Sequence, residues 1–150
     1  MMMSAENVLF QSFEITGRDF SRAGSVSTKL KEILQEIGIN PGIVRRAAIA
    51  AYEAEMNVVM YANRGELVLT ITPKKIHFKV EDKGPGIEDI EMAMQEGYST
   101  ATDEMREMGF GAGMGLPNIK RNADKFEISS TPGSGTRLDI ILYLNQAEKN

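Results

Sequence analysis

The chain has no cysteine, no tryptophan and a single histidine, His77. Without cysteine there can be no disulfide, thiolate zinc site or thiol nucleophile. One histidine cannot build a histidine-based metal cluster. His77 lies in Lys75-Ile-His-Phe-Lys-Val80, where alternation puts it on one strand face with Lys75 and Lys79. It reads as an exposed strand residue rather than a ligand or phosphoacceptor. Positive charge is also in short supply. The net charge of −4 disfavours nucleic acid or an acidic membrane surface as a partner. The longest apolar runs fall well short of a membrane span. The opening Met1-Met-Met-Ser-Ala-Glu-Asn7 puts no basic region ahead of its first apolar residues, unlike a signal peptide. These absences predict a cytoplasmic protein in a reducing compartment.

The 150 residues suit one soluble domain, with a core expected over about 8–144, and 42% hydrophobic residues can fill it. Val8 to Ile15 reads as a strand. Ala23, Val26, Leu30, Ile33, Leu34 and Ile37 recur at steps of three and four, which predicts a helix from about Asp19 to Ile37 with Gly38 as its stop. Asn40-Pro41 opens a second helix, cap then first-turn proline, that runs to about Ala62. Glu66 to Thr72 and Lys75 to Glu81 alternate as strands around a turn at Pro73-Lys74. Glu88 to Gln95 suggests a short helix. Gly97 to Gly111 shows no periodicity and reads as a lid or a plain surface loop. Leu116 to Lys125 predicts a helix. Phe126 to Ser130 and Thr136 to Leu144 predict strands around the turn Thr131-Pro-Gly-Ser-Gly135.

The order β-α-α-β-β-(α)-lid-α-β-β implies an α/β (α+β) two-layer sandwich with a mixed, mostly antiparallel sheet. It does not alternate as a Rossmann fold does. No P-loop is present.

Three segments carry chemistry. Glu53-Ala-Glu-Met-Asn57 sets a carboxylate and an amide at i and i+4 on one helix face. Asp82-Lys-Gly-Pro-Gly86 places a carboxylate at a strand end and frees the backbone after it. Gly109-Phe-Gly-Ala-Gly-Met-Gly115 runs a glycine-rich turn into a helix, where backbone N–H groups can meet phosphate. Taken singly, the first is an ordinary helix face, with Glu55 a further acidic helix residue, and the second a strand-ending turn. The third is harder to explain without a ligand, because its alternating glycines carry a large entropic cost. Together they read as a nucleotide site. Arg45-Arg46 and Lys120-Arg121 read as solvated helix faces, the latter also as a minor phosphate-side candidate. Met92, Met94, Met105 and Met108 read as packing or as an adaptable partner surface.

The Glu-x-x-x-Asn box, the Asp-x-Gly-x-Gly turn and the Gly-x-Gly-x-Gly segment resemble the ATP-binding domain of gyrase, heat-shock chaperones, histidine kinases and MutL, the Bergerat fold. The likeness spans about Val8 to Leu144. Gly97-Tyr-Ser-Thr100, Gly113-Met-Gly-Leu-Pro-Asn-Ile-Lys-Arg121 and Phe126 to Thr136 resemble the stress-switch branch of the anti-sigma-factor serine/threonine kinases. Members of that branch phosphorylate a serine on a small anti-anti-sigma-type partner.

The resemblance implies ATP and Mg²⁺ as cofactors. By it, Asp82 accepts from the adenine amino group and the Thr136 hydroxyl supports that contact. Gly84 and Gly86 let the loop pass close to the nucleotide. Asn57 binds Mg²⁺ through its side-chain oxygen. Gly111, Gly113 and Gly115, with Met114 among them, give N–H groups to the phosphates. Glu53 takes or orients the proton of the incoming hydroxyl. The implied partners are an anti-anti-sigma-type protein, with a sigma factor or a phosphatase downstream. A homodimer through the N-terminal strand and helix is compatible with the resemblance.

One departure stands out. The sporulation kinases of this family carry an arginine two residues before the Gly-Met-Gly core, where this chain has Gly111. Arg106 is the nearby basic residue that could substitute. Two functions therefore stay open: a phosphotransferring partner-switch kinase, and an ATP-binding module that sequesters a partner without phosphotransfer.

Overall fold

The computed structural model describes residues 8–95 and 115–144. Five strands, β1 (Leu9–Thr16), β2 (Arg64–Ile71), β3 (Lys75–Asp82), β4 (Lys125–Thr131) and β5 (Gly135–Tyr143), form one sheet in the order β1-β2-β3-β5-β4. Every neighbouring pair is antiparallel. The mixed sheet expected from sequence is therefore corrected to a wholly antiparallel one among the described residues. The β2–β3 and β4–β5 pairs are hairpins closed by short turns.

Strand alternation decides which face is buried. Leu67, Leu69 and Ile71 of β2, Ile76, Phe78 and Val80 of β3, and Leu138, Ile140 and Leu142 of β5 all point into the core. Helices α1 (Ser25–Glu36), α2 (Pro41–Tyr61) and α4 (Gly115–Asn122) lie over that face, and α3 (Ile90–Ala93) is a single turn after β3. Ala47, Ala50, Ala51 and Ala54 of α2 are wholly buried. Their small side chains let α2 lie close to both α1 and α4.

Local signals account for the helix ends. The Asn40 side chain accepts from the Gly42 N–H at 2.9 Å, as its position before Pro41 predicts. The Asp89 side chain accepts from Met92 N–H at 3.0 Å and opens α3.

The first helix departs from expectation. Instead of a helix from Asp19, a 3-10 turn at Phe20–Arg22 is followed by Gly24 at φ +93°, and α1 starts at Ser25. The reason lies on α2. Glu55, 1% exposed, accepts from the backbone N–H groups of Gly24, Val26 and Ser27 at 3.1, 3.3 and 2.9 Å. A carboxylate from a distant helix thus satisfies the first N–H groups of α1 and faces its positive dipole end.

His77, Lys75 and Lys79 do share the outer sheet face, but His77 is half-buried. Its Nε2 lies 2.9 Å from Asp139 Oδ1, and Asp139 also pairs with Arg137 at 2.8 Å. Arg46 is also more engaged than its sequence context implied. Its Nη2 donates to Asp124 Oδ1 at 2.9 Å and its Nε to the Asn122 carbonyl at 3.1 Å, which ties α2 to the end of α4.

Candidate functional site

Two groups of residues, both bordering α2, make up the site. The first gathers where β3 ends. Asp82 is the last residue of β3 and half-buried. Its Oδ1 accepts from the backbone N–H of Thr136, the second residue of β5, at 3.2 Å. Burial pushes the Asp82 carboxyl above its usual range, and the N–H groups of Thr136 and Gly84 pull it partly back. The result is a desolvated acceptor at the rim of the sheet, suited to an exocyclic amine.

Thr136 is 6% exposed. Its hydroxyl lies 2.9 Å from the Ser130 hydroxyl, so within the protein it meets β4 while its N–H meets Asp82. Ser130 has a further role, because its hydroxyl accepts from the Ile87 N–H at 2.7 Å and donates to the Gly135 carbonyl at 3.1 Å. It therefore fastens the turn after Asp82 to the β4–β5 hairpin. Neither Ser130 nor this link was singled out in the sequence. Ser129-Ser130 in a strand gives no local sign of a partner more than 40 residues away.

The glycines of the turn have an internal explanation. Gly86 sits at φ +76°, and a Cβ there would lie 2.5 Å from the Thr131 carbonyl oxygen. At Gly84 a Cβ would come within 3.0 Å of both Ala62 Cβ and Asp82 Oδ1. The close approach that the structure shows at these two glycines is to the protein's own atoms.

The second group lies further back along α2. Glu53 and Asn57 are both half-buried and one turn apart on the same helix face. Glu53 Oε2 accepts from Asn118 Nδ2 at 2.6 Å, and Asn118 belongs to the first turn of α4. The Tyr52 hydroxyl is held above its usual range by burial first, then by the carboxylates of Glu53 and Glu55. Asn118 lies inside Gly113–Arg121, the segment on which the family resemblance rested, but its partner could not be read there. Gly115 is the first residue of α4, and no described atom lies within 4 Å of where its Cβ would stand. Gly111, Gly113 and Met114, together with the expected lid and Arg106, lie outside the described residues.

The separation of the two groups follows from helix geometry. The Gly84 turn packs on Ala62, which caps the end of α2, and Glu53 lies nine residues earlier. At 1.5 Å per residue that is about 13 Å.

The donor set fits ATP and Mg²⁺. The Asp82 carboxylate suits the base, and the backbone N–H groups at the start of α4, Pro117 excepted, suit phosphate. The Asn57 amide oxygen is a hard ligand that would leave other Mg²⁺ positions to phosphate and water. Among the described residues no group of three or more His, Asp or Glu side chains could hold a metal ion alone.

Fold and site together define a histidine kinase-like ATPase domain. Residues 19–142 match the family of that description, and the chain belongs to it. Among curated proteins the chain is 32% identical to the serine/threonine-protein kinase RsbT of Bacillus subtilis (strain 168), over 76% of this chain and 83% of that protein. It is 35% identical to the anti-sigma F factor of Caldanaerobacter subterraneus subsp. tengcongensis, over 65% of this chain and 68% of that protein. Its relatives thus include one named as a serine/threonine-protein kinase and others named as anti-sigma F factors. Among solved structures, the catalytic domain of histidine kinase ThkA aligns with TM-score 0.52 at 16% identity, covering 95% of this chain and 99% of that one. That likeness concerns the fold.

Proposed function

We propose that this protein is an ATP- and Mg²⁺-dependent serine/threonine kinase that phosphorylates a small anti-anti-sigma-type partner in a cytoplasmic bacterial partner switch. The observation that carries the proposal is the Glu53/Asn57 pair on one face of α2, with the Glu53 carboxylate held from α4 by Asn118.

Each residue has a distinct task. Asp82 receives the adenine amino group, and Ser130 and Thr136 hold the walls around it. The first turn of α4 offers N–H groups to the phosphates. Asn57 would hold Mg²⁺, which neutralises charge on the phosphates. Glu53 accepts the proton of the serine hydroxyl as its oxygen bonds to the γ-phosphorus, and the bond to the bridging oxygen breaks to release ADP.

The test is phosphotransfer from γ-labelled ATP and Mg²⁺ to proteins of a source-organism extract, with Glu53→Ala beside wild type. A small labelled protein that depends on Glu53 supports the kinase and identifies its substrate. Equal transfer by both proteins removes the role given to Glu53.

A second reading keeps ATP binding without transfer, so that nucleotide state sets which regulator is held. Gly111 in place of the sporulation-kinase arginine favours it, as do the relatives whose names describe anti-sigma factors. A partner complex whose affinity follows nucleotide, with no phosphoprotein formed, supports this reading. Phosphotransfer in a purified mixture removes it.

A further inference from the structure

We infer that Asn118 is a positioning residue for phosphotransfer, fixing the orientation of the Glu53 carboxylate from the helix that faces the phosphates. The inference rests on the reading of Glu53 as proton acceptor.

The amide is locked by partners with opposite demands. Its Nδ2 donates to Glu53 Oε2 at 2.6 Å, and its Oδ1 accepts from Arg121 Nη1 at 3.2 Å. A carboxylate only accepts and a guanidinium only donates, so one orientation of the amide satisfies both. Aspartate at this position would set a like charge against Glu53. Leucine would match the shape and leave Glu53 Oε2 without its donor.

The backbone beneath the amide is also pinned. The Asn118 carbonyl accepts from Asn122 Nδ2 at 2.8 Å, and the Asn122 carbonyl accepts from Arg46 Nε of α2 at 3.1 Å. Leu116 and Ile119 bury the other side of α4, at 8% and 0% exposure. The donor is therefore fixed relative to the helix that carries its acceptor.

This matters because the last torsion of a glutamate is soft. With Oε2 held, the carboxylate stops rotating and presents its other oxygen in one direction. A misplacement of about 1 Å at such a base costs on the order of a hundredfold in rate. Asn118 lies three residues after Gly115, so one short helix both faces the phosphates and aims the base.

The experiment has two arms on the full chain. In the first, the Asn118 side-chain amide is followed by ¹⁵N NMR in wild type and Glu53→Ala. The proton directed at Glu53 is expected downfield, returning to an ordinary amide position in Glu53→Ala. An unmoved resonance overturns the inference whether or not any phosphate is transferred.

In the second arm, Asn118→Leu is expected to lower kcat about tenfold to a hundredfold. Its KM for ATP stays within about twofold of wild type. Asn118→Ser serves if the leucine variant does not fold. The swapped pair Glu53→Gln/Asn118→Asp restores a hydrogen bond with donor and acceptor reversed, so stability returns and transfer does not. Wild-type kcat in Asn118→Leu, or a KM that rises as far as kcat falls, overturns the positioning role while the kinase reading stands. A wild type that transfers nothing removes the kinase reading, and the positioning role with it.

Discussion

The backbone N–H of Thr136 donates to Oδ1 of Asp82 at 3.2 Å, so the start of β5 is fastened to the end of β3 through the carboxylate assigned to the adenine. Burial raises the Asp82 carboxyl above its unfolded value by more than the Thr136 and Gly84 N–H groups lower it. The sign of the linkage follows. A raised folded value means the native state binds the proton more readily. The resulting stability is present below the unfolded value, near 4, and is lost as pH rises through the raised folded value. At neutral pH the ionised Asp82 is therefore a load on the fold.

Asp82→Asn should make the protein more stable while weakening its ligand. The asparagine oxygen can still accept from Thr136, and the desolvated charge is gone. A small gain in Tm at pH 7 is expected, limited by solvent screening because the group is only half-buried. ATP affinity should fall at least about tenfold, since the adenine amino group then meets an amide instead of a carboxylate. Thermal denaturation and nucleotide titration of the same preparation check both.

Glu53 and Glu55 stand two positions apart and should fail in opposite ways. Glu55→Ala leaves the N–H groups of Gly24, Val26 and Ser27 without their acceptor, at a cost of about 2–4 kcal/mol. Glu53→Ala should shift stability by no more than about 1 kcal/mol, retain ATP binding and abolish transfer. Urea denaturation of the two variants, beside the labelled-ATP assay, separates them. A Glu55→Ala protein as stable as wild type would count against the capping role.

Gly86→Ala should be costly even with no nucleotide present. Its φ of +76° strains any L side chain, and the added carbon meets the Thr131 carbonyl at 2.5 Å. Gly135, at φ +139°, faces the Asp82 carbonyl in the same way. Each substitution is expected to cost about 2–3 kcal/mol, read as a lowered urea midpoint in ligand-free protein. Unchanged ligand-free midpoints would show that these glycines serve only the ligand.

The outer sheet face should give an acid-dependent signature. Burial alone would raise the Asp139 carboxyl, but hydrogen bonds to Arg137 and His77, with their charges, hold it below its usual range. A depressed folded value contributes stability above the unfolded value, near 4, which is lost as pH falls through the folded value. Asp139→Asn should therefore be less stable than wild type at pH 7, by under about 1 kcal/mol because the group is partly exposed. The gap should close towards pH 3. Urea midpoints at the two pH values measure it.

Local pattern carried the strands and most helix ends. The alternation in β2, β3 and β5 and the Asn40 cap needed no knowledge of distant residues. The helix expected over Leu116 to Lys125 ends at Asn122, with β4 starting at Lys125, while two other errors share one cause, a partner distant in sequence. The apolar period of Ala23, Val26 and Leu30 runs straight through Gly24, and only Glu55, about 30 residues on, shows why α1 begins after it. Arg46 looked solvated because Asp124 lies 78 residues away. Glu53, Asn57 and Asp82 were singled out by three motifs taken together and by the resemblance those motifs carry, not by any one element alone. Asn118 and Ser130 were not, because their importance lies in partners that only the folded chain brings within reach.

The crowding around Gly86 and Gly135 bears on how such chains age. Their restraint comes from neighbouring backbone, so it persists in a descendant that has ceased to use nucleotide. Asp82 has the contrary fate, since once the ligand is gone its desolvated charge burdens the fold and an asparagine can keep the bond to Thr136. In a decaying lineage the aspartate should drift first and the glycines endure. Among distant descendants the glycine pattern then records ancestry, and the aspartate records present use.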